Sequence, residues 1–207
     1  MSNNWAKNAS NNILPLSTSQ TSLRDALAEW FYNGNTLDLE APVESCRLCD
    51  HPDIRYQFEI ENETNGNTLL VGSECITRFS ISAKADGRNL SQTDTKKLVS
   101  RDRRQLIQDA RTKRVIGCLV DLAAKDDEFN DIDRSIDYYR ERGAFSPNHL
   151  AFLIWRLDKN NVPYKASDMK MTIRRSREKE QLLSMPDWKL QKLLPCMSKS
   201  QRDFVER

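Results

Sequence analysis

The stretch CRLCDHPDIRYQFEIENETNGNTLLVGSECITRF, residues 46–79, decides how the chain is read. Ile54, Tyr56, Phe58 and Ile60 alternate with Arg55, Gln57, Glu59 and Glu61, the period-two pattern of a half-buried strand. The polar run ENETNGN supplies a turn, and TLLVG returns as a second strand. Ser73 then stands as a helix N-cap, which puts Cys75 in the first helical turn. Ahead of the hairpin, Cys46 and Cys49 are separated by two residues, the spacing at which one tight turn can present two sulfurs to a single ion. The order is knuckle, hairpin, helix, the outline of a treble clef.

On the N-terminal side, Ser22 can cap a helix whose Leu23, Leu27, Trp30 and Phe31 share a face, with Gly34 to end it. The acidic connector NTLDLEAPVES follows. Residues 1–20 are rich in Asn, Ser and Thr with few apolar anchors, so they read as a mobile polar arm, with Trp5 the one side chain suited to docking.

Beyond Gly87 the pattern turns helical. Thr93 to about Ala124 reads as one long helix or two, with Gly117 as the weak point. DIDRSIDYYRERG is a helix closed by Gly143, and FSPNHLAFLIWRLDKN has a specified start, with Phe145 as staple, Ser146 as cap and Pro147 at the first position. Its dense apolar residues make it the expected centre of the core. MKMTIRR fits a short strand or a helix start, EKEQLLSMPDWKLQKLLP two short helices broken before Pro186, and SKSQRDFVER a final turn or two capped by Ser198. The expected fold class is therefore α+β: a mostly helical domain with a small treble-clef-like zinc hairpin near its N-terminal side. The organisation reads as a 1–20 arm, a 21–83 module of helix plus zinc hairpin, and an 84–207 helical region packed on it as one compact unit.

Composition bounds what such a chain does. With 207 residues, 38% hydrophobic and 30% charged, it is long enough to bury its own core. It holds no run of eighteen apolar residues, and its first residues lack the pattern of a signal peptide, so the expectation is a cytoplasmic protein without a membrane partner. Five cysteines, three around a hairpin and two in apolar surroundings, do not form a secreted disulfide framework; reduced thiols, some of them metal-bound, are expected.

The metal reading follows from ligand chemistry. Zinc takes four tetrahedral N or S ligands, and a cysteine in the first turn of a helix has its thiolate favoured by the dipole and free amides. Cys46, Cys49 and Cys75 supply three. In a treble clef the fourth normally sits three residues after the first helical cysteine, but that position is Arg78. His51, two residues past Cys49, is the nearest candidate, giving a structural Zn2+ site of Cys46, Cys49, His51 and Cys75; Asp50, Cys118 or water are the alternatives. Cys118 reads first as a small buried hydrophobe, and Cys196 as packing or a surface thiol.

The same stretch resembles a motif of uncharacterised bacterial, phage and mobile-element zinc-binding proteins. Those proteins run cysteine pair, RY strand, TG-type turn, VGS, cysteine and a closing phenylalanine. Cys46, Cys49, Arg55, Tyr56, Gly66, Val71, Gly72, Ser73, Cys75 and Phe79 carry the match, over about a sixth of the chain, and TNG here replaces the usual TG. The resemblance implies a zinc site and a mobile-element context, and it supplies no reaction.

The net charge of +2 conceals an uneven layout. Between Arg24 and Glu63 ten acids face three bases, whereas between Lys84 and Gly117 ten bases face four acids. On the long helical segment Lys97, Arg101, Arg104, Arg111 and Arg114 fall in a cationic cluster suited to phosphate, and Arg174, Arg175 and Arg177 form a second. The bland counterpart of both is a solvated helix face. Catalysis finds little footing: there is no Gly-rich phosphate loop, nucleophile elbow or HExxH, and a nuclease of the HNH type lacks a free histidine once His51 binds metal, His149 reading as a core or helix-surface residue. Asp126, Asp127 and Glu128 read as a solvated helix end. No catalytic residue and no small-molecule substrate are expected. The expected function is a zinc-stabilised accessory protein of a phage or mobile element that binds DNA or RNA. The alternative is a protein-interaction adaptor or inhibitor acting through host or phage proteins.

Overall fold

A computed structural model describes residues 4–206. The fold is α+β, and the chain divides into two compact units, 1–110 and 111–207. The boundary falls inside one helix, Gln92–Lys125, within the stretch read from the sequence as helical.

The first unit is built on a five-stranded sheet. Its strands are β1 (Trp30–Asp38), β2 (Tyr56–Asn62), β3 (Thr68–Val71), β4 (Ser82–Ala85) and β5 (Arg88–Asn89), in the order β3-β2-β1-β4-β5. The hairpin β2/β3 is antiparallel with Phe58 opposite Val71 and Ile60 opposite Leu69, as the alternation predicts. Its turn is closed by Asn62, whose Oδ1 accepts from the amides of Thr64 and Asn65, and by Gly66 in the left-handed region. The central strand β1 lies where the sequence predicts the end of a helix. The helix α2 (Leu23–Ala28), capped by the Ser22 hydroxyl, stops early, and Trp30 and Tyr32 turn into the core. The aromatic run Trp30–Phe31–Tyr32 favours extended backbone, and β1 gains ladder partners on both sides, β2 antiparallel and β4 parallel. Between Tyr32 and Thr36 the register slips, with Gly34 at φ 91°, a conformation open to glycine.

The second correction concerns the arm. Residues 1–3 lie outside the described residues, but Trp5–Ile13 form a helix, α1. Trp5, Ala9 and Ile13 recur every four residues, and Ala9 and Ile13 are fully buried. Trp5 meets Phe79 edge to face, with ring centroids 5.2 Å apart. The asparagines that make the segment look unstructured are used: Asn8 donates to the carbonyl of Cys49, and Asn12 to the carbonyl of Leu48 and to Asp50.

The helices α3 (Ser73–Arg78) and α4 (Gln92–Lys125) complete the first unit's elements. Gly117 does not interrupt α4. Thr95 and Val99 of α4 are buried against the sheet; the Thr95 hydroxyl accepts from the Ala83 amide, and the Tyr32 hydroxyl donates to Asp102.

The second unit is helical. It takes the rest of α4 together with α5 (Ile132–Arg142), α6 (Pro147–Lys159), α7 (Ser176–Leu183), α8 (Asp187–Leu193) and α9 (Lys199–Val205). Gly143 ends α5 in the left-handed conformation, and Ser198 closes a capping box with Gln201 at the start of α9. As expected, α6 is central: Leu150, Leu153, Ile154 and Leu157 are fully buried, and the helix packs against α7 and α8. MKMTIRR forms neither a regular strand nor a helix start, making a single bridge between Met171 and Phe145. Asp126 departs from the reading as a solvated helix end. It is 5% exposed and accepts from Arg156 and Asn160. Among the described residues, no helix is long and apolar enough to cross a membrane.

Candidate metal centre

Three elements bring the sulfurs together. The knuckle 46–51 is a tight loop in which the Asp50 amide donates to the Cys46 carbonyl and the Cys46 amide to the His51 carbonyl. A bridge between Glu44 and Ile54 closes it at the base, and Asp50 and Asp53 turn the chain through the left-handed region. From the other side, β3 delivers the chain through Gly72, the N-cap of α3, so that Cys75 lies in the first helical turn. Ser73 makes no side-chain cap and is itself the first helical residue, so α3 starts one residue earlier than the sequence suggests.

The sulfurs of Cys46, Cys49 and Cys75 lie within 4.8 Å of one another. Cys46 and Cys75 are 3.5 Å apart and Cys49 and Cys75 3.2 Å. A tetrahedral ion with metal–sulfur bonds of about 2.3 Å sets its sulfurs roughly 3.8 Å apart, so the two edges at Cys75 need only slight opening to receive one. All three side chains are buried, at 1%, 6% and 2% exposure.

The electrostatics suit a cation. Hydrogen bonding from Cys75, assisted by the amides of Gly72, Cys49 and Leu48, holds the Cys46 thiol down at about 5. The Gly72 amide lies 3.3 Å from that sulfur. Cys75 is pushed up, by its hydrogen bond to Cys46 first and by burial second, and burial also raises Cys49. Three buried sulfurs at this spacing cannot all ionise without a positive charge between them, which a thiophilic metal ion supplies.

The expected fourth ligand is not part of this group. His51 is exposed, and among the described residues the cluster contains the three cysteines alone. The His51 carbonyl is tied to the Cys46 amide, and two left-handed residues, Asp50 and Asp53, flank the His51–Pro52 pair. His51 nonetheless borders the cleft onto which the cysteines open. Asp50 is engaged by Asn12, and Cys118 is buried in the apolar core of the second unit, its thiol raised to about 11 by burial. Cys196 is likewise buried and raised to about 11.

The cationic residues separate into different situations. Lys97 and Arg101 are 73% and 70% exposed, each beside one acid of its own helix, Asp94 and Asp102. Arg104 is exposed and donates to the Ser100 carbonyl, and Lys96 and Arg103 are exposed near them. With about 100° per residue, these five cations cover roughly 160° of α4; Lys97, Arg101 and Arg104 lie on the side away from the buried Thr95 and Val99, and Arg103 and Lys96 lie at the edge nearer Val99. Arg114 and Arg111 are used otherwise: Arg114 grips the buried Asp168 at 2.7 and 3.1 Å, and Arg111 lies 3.8 Å from it. Arg174, Arg175 and Arg177 are exposed at the start of α7. His149 is half-buried, its Nε2 3.0 Å from the Ser135 hydroxyl and its pKa lowered by burial.

Sequence reasoning misses Asn8 and Asn12, which hold the knuckle's carbonyls. The recurrence of Trp5, Ala9 and Ile13 at four-residue spacing is the signal that leads to them.

No family model, no curated protein and no solved structure matches the chain.

Proposed function

We propose that the first unit is a zinc-stabilised module that binds nucleic acid along α4, as an accessory protein of a phage or mobile element would. The convergence of three buried sulfurs carries the metal half of this reading. Thiolate ligands select zinc among the common divalent ions, and a role in holding knuckle, hairpin and α3 together fits their burial. Support for the nucleic-acid half is the exposed arc of Lys96, Lys97, Arg101, Arg103 and Arg104, whose helix is fixed to the sheet by Thr95 and Tyr32. A rigid row of cations is what sequence-independent phosphate contact requires. Arg111 and Arg114 leave the phosphate set on this reading, because Asp168 already holds them.

The test is fluorescence anisotropy of the metal-replete protein with labelled single-stranded DNA, duplex DNA and RNA across a salt series. Binding is expected to weaken steeply with salt, and the variant Lys97→Glu/Arg101→Glu/Arg104→Glu to lose it, the salt slope falling by about one unit per contact removed. Absence of binding at low salt overturns the nucleic-acid reading. The alternative of a protein-interaction adaptor draws on the second unit, where Phe152 and Trp155 are 40% and 39% exposed side by side on α6.

A further inference from the structure

Two sulfurs of the knuckle meet a third at Cys75. The Cys75 sulfur lies 3.2 Å from that of Cys49 and 3.5 Å from that of Cys46, so it is in contact with both. A disulfide sets its sulfurs roughly 2.0 Å apart, and either pair needs to close by only about 1.2–1.5 Å to form one. The sulfurs are also within reach of a small solute. Cys46, Cys49 and Cys75 all border one surface cleft of about 470 Å3, and a peroxide is hardly larger than water. The number of sulfurs sets the consequence. The thiolate is the form that binds metal, so a bond between any two of the three leaves a single sulfur donor.

We infer that the cysteine cluster is a redox switch: a peroxide joins Cys75 to a cysteine of the knuckle, Cys49 or Cys46, and the metal ion leaves. The inference rests on the reading that the three cysteines hold a metal, and it adds the condition under which they release it. One thiolate attacks the peroxide, its sulfur keeps one oxygen as a sulfenic acid, and hydroxide departs. The second thiolate attacks that sulfur, the sulfur–sulfur bond forms, and a second hydroxide departs. Two sulfurs thus lose two electrons and the peroxide takes them. Cys75 is the shared partner because its sulfur touches both of the others. The bond links the knuckle to the first turn of α3, the same two elements that the metal would tie, so the first unit keeps one of its ties after the ion has gone.

The experiment uses the full chain loaded with zinc and treated with hydrogen peroxide in stoichiometric steps. A chromogenic chelator reads released zinc, and mass spectrometry after alkylation of the remaining thiols maps the disulfides. The expected result is one zinc released per disulfide formed, a Cys49–Cys75 or Cys46–Cys75 link, and Cys118 and Cys196 recovered as alkylated thiols. A thiol reductant with added zinc is expected to restore the loaded form. Zinc retained with every thiol still alkylated at excess peroxide overturns the inference. So does zinc release with sulfinic acid and no disulfide, a link within the knuckle between Cys46 and Cys49, or a link to Cys118 or Cys196. A chain that takes up no zinc before peroxide is added fails the metal reading itself and takes the inference with it, an outcome distinguished from the others by the zinc content at the start.

Discussion

The two units bury the same residue type in different company. In the first, Cys46, Cys49 and Cys75 converge from a knuckle and a helix start, and the hydrogen bonds around Cys46 bring its thiol down to about 5 while Cys49 and Cys75 are raised. In the second, Cys118 and Cys196 are nearly as buried, yet each stands among aliphatic neighbours and is raised to about 11. Burial alone makes a thiol inert; convergence and amide donors make it a ligand. The cores differ in the same sense. Leu119, Leu122, Phe145, Leu150, Leu153 and Leu157 give the second unit a hydrocarbon interior, whereas the first places its cysteines among Leu48, Phe58, Val71 and Ile76 beneath a small sheet. We therefore expect the first unit to depend on its metal and the second on packing alone.

The largest effect that separates them is metal removal. Structural zinc contributes about 10–16 kcal/mol of apparent free energy in zinc-finger peptides near neutral pH, more than most small domains have in total. Chelation, or Cys75→Ser, is expected to abolish hydrogen-exchange protection through β2, β3, α3 and α1 while leaving α6 protected. Equal loss in both units would break the comparison. Next is a packing variant. Phe145→Ala removes a fully buried ring stacked on Tyr139, and is expected to destabilise by about 3–5 kcal/mol in urea unfolding with no change in metal content. Loss of metal in that variant would tie the units together energetically. The smallest is Asn12→Ala, which removes donors to Leu48 and Asp50 and is expected to cost about 1 kcal/mol and to speed metal release to a chelator. An unchanged release rate would show that α1 lies on the knuckle without holding it.

Much of this contrast is legible in the sequence because it rests on local pattern. Two residues between Cys46 and Cys49, alternation at Tyr56, Phe58 and Ile60, and a cysteine just after Gly72 each need only a few neighbours to be read. Gly143 and the Ser146–Pro147 pair mark helix ends for the same reason. What escapes depends on distant partners. Leu23, Leu27, Trp30 and Phe31 satisfy a helical spacing, and only pairing with β2 and β4 turns the aromatic half into a strand. The asparagines of α1 resemble a disordered tract until the carbonyls of Leu48 and Cys49 are placed beside them. Arg111 and Arg114 look like phosphate ligands because Asp168, more than fifty residues onward, is invisible from the helix. His51 has the right spacing for a ligand, and it stands at the cleft onto which the three sulfurs open, outside their group.

Everything proposed for the first unit depends on its three clustered cysteines holding one metal ion. The most direct measurement is the metal content of the full chain, purified in reductant without added metal, together with the sulfur count from X-ray absorption at the metal edge. One zinc per chain is expected, with three sulfur neighbours at about 2.3 Å and one lighter neighbour at about 2.0–2.1 Å, all lost in Cys75→Ser. A chain purified without stoichiometric metal, or a Cys75→Ser variant that keeps its full metal content, would contradict it.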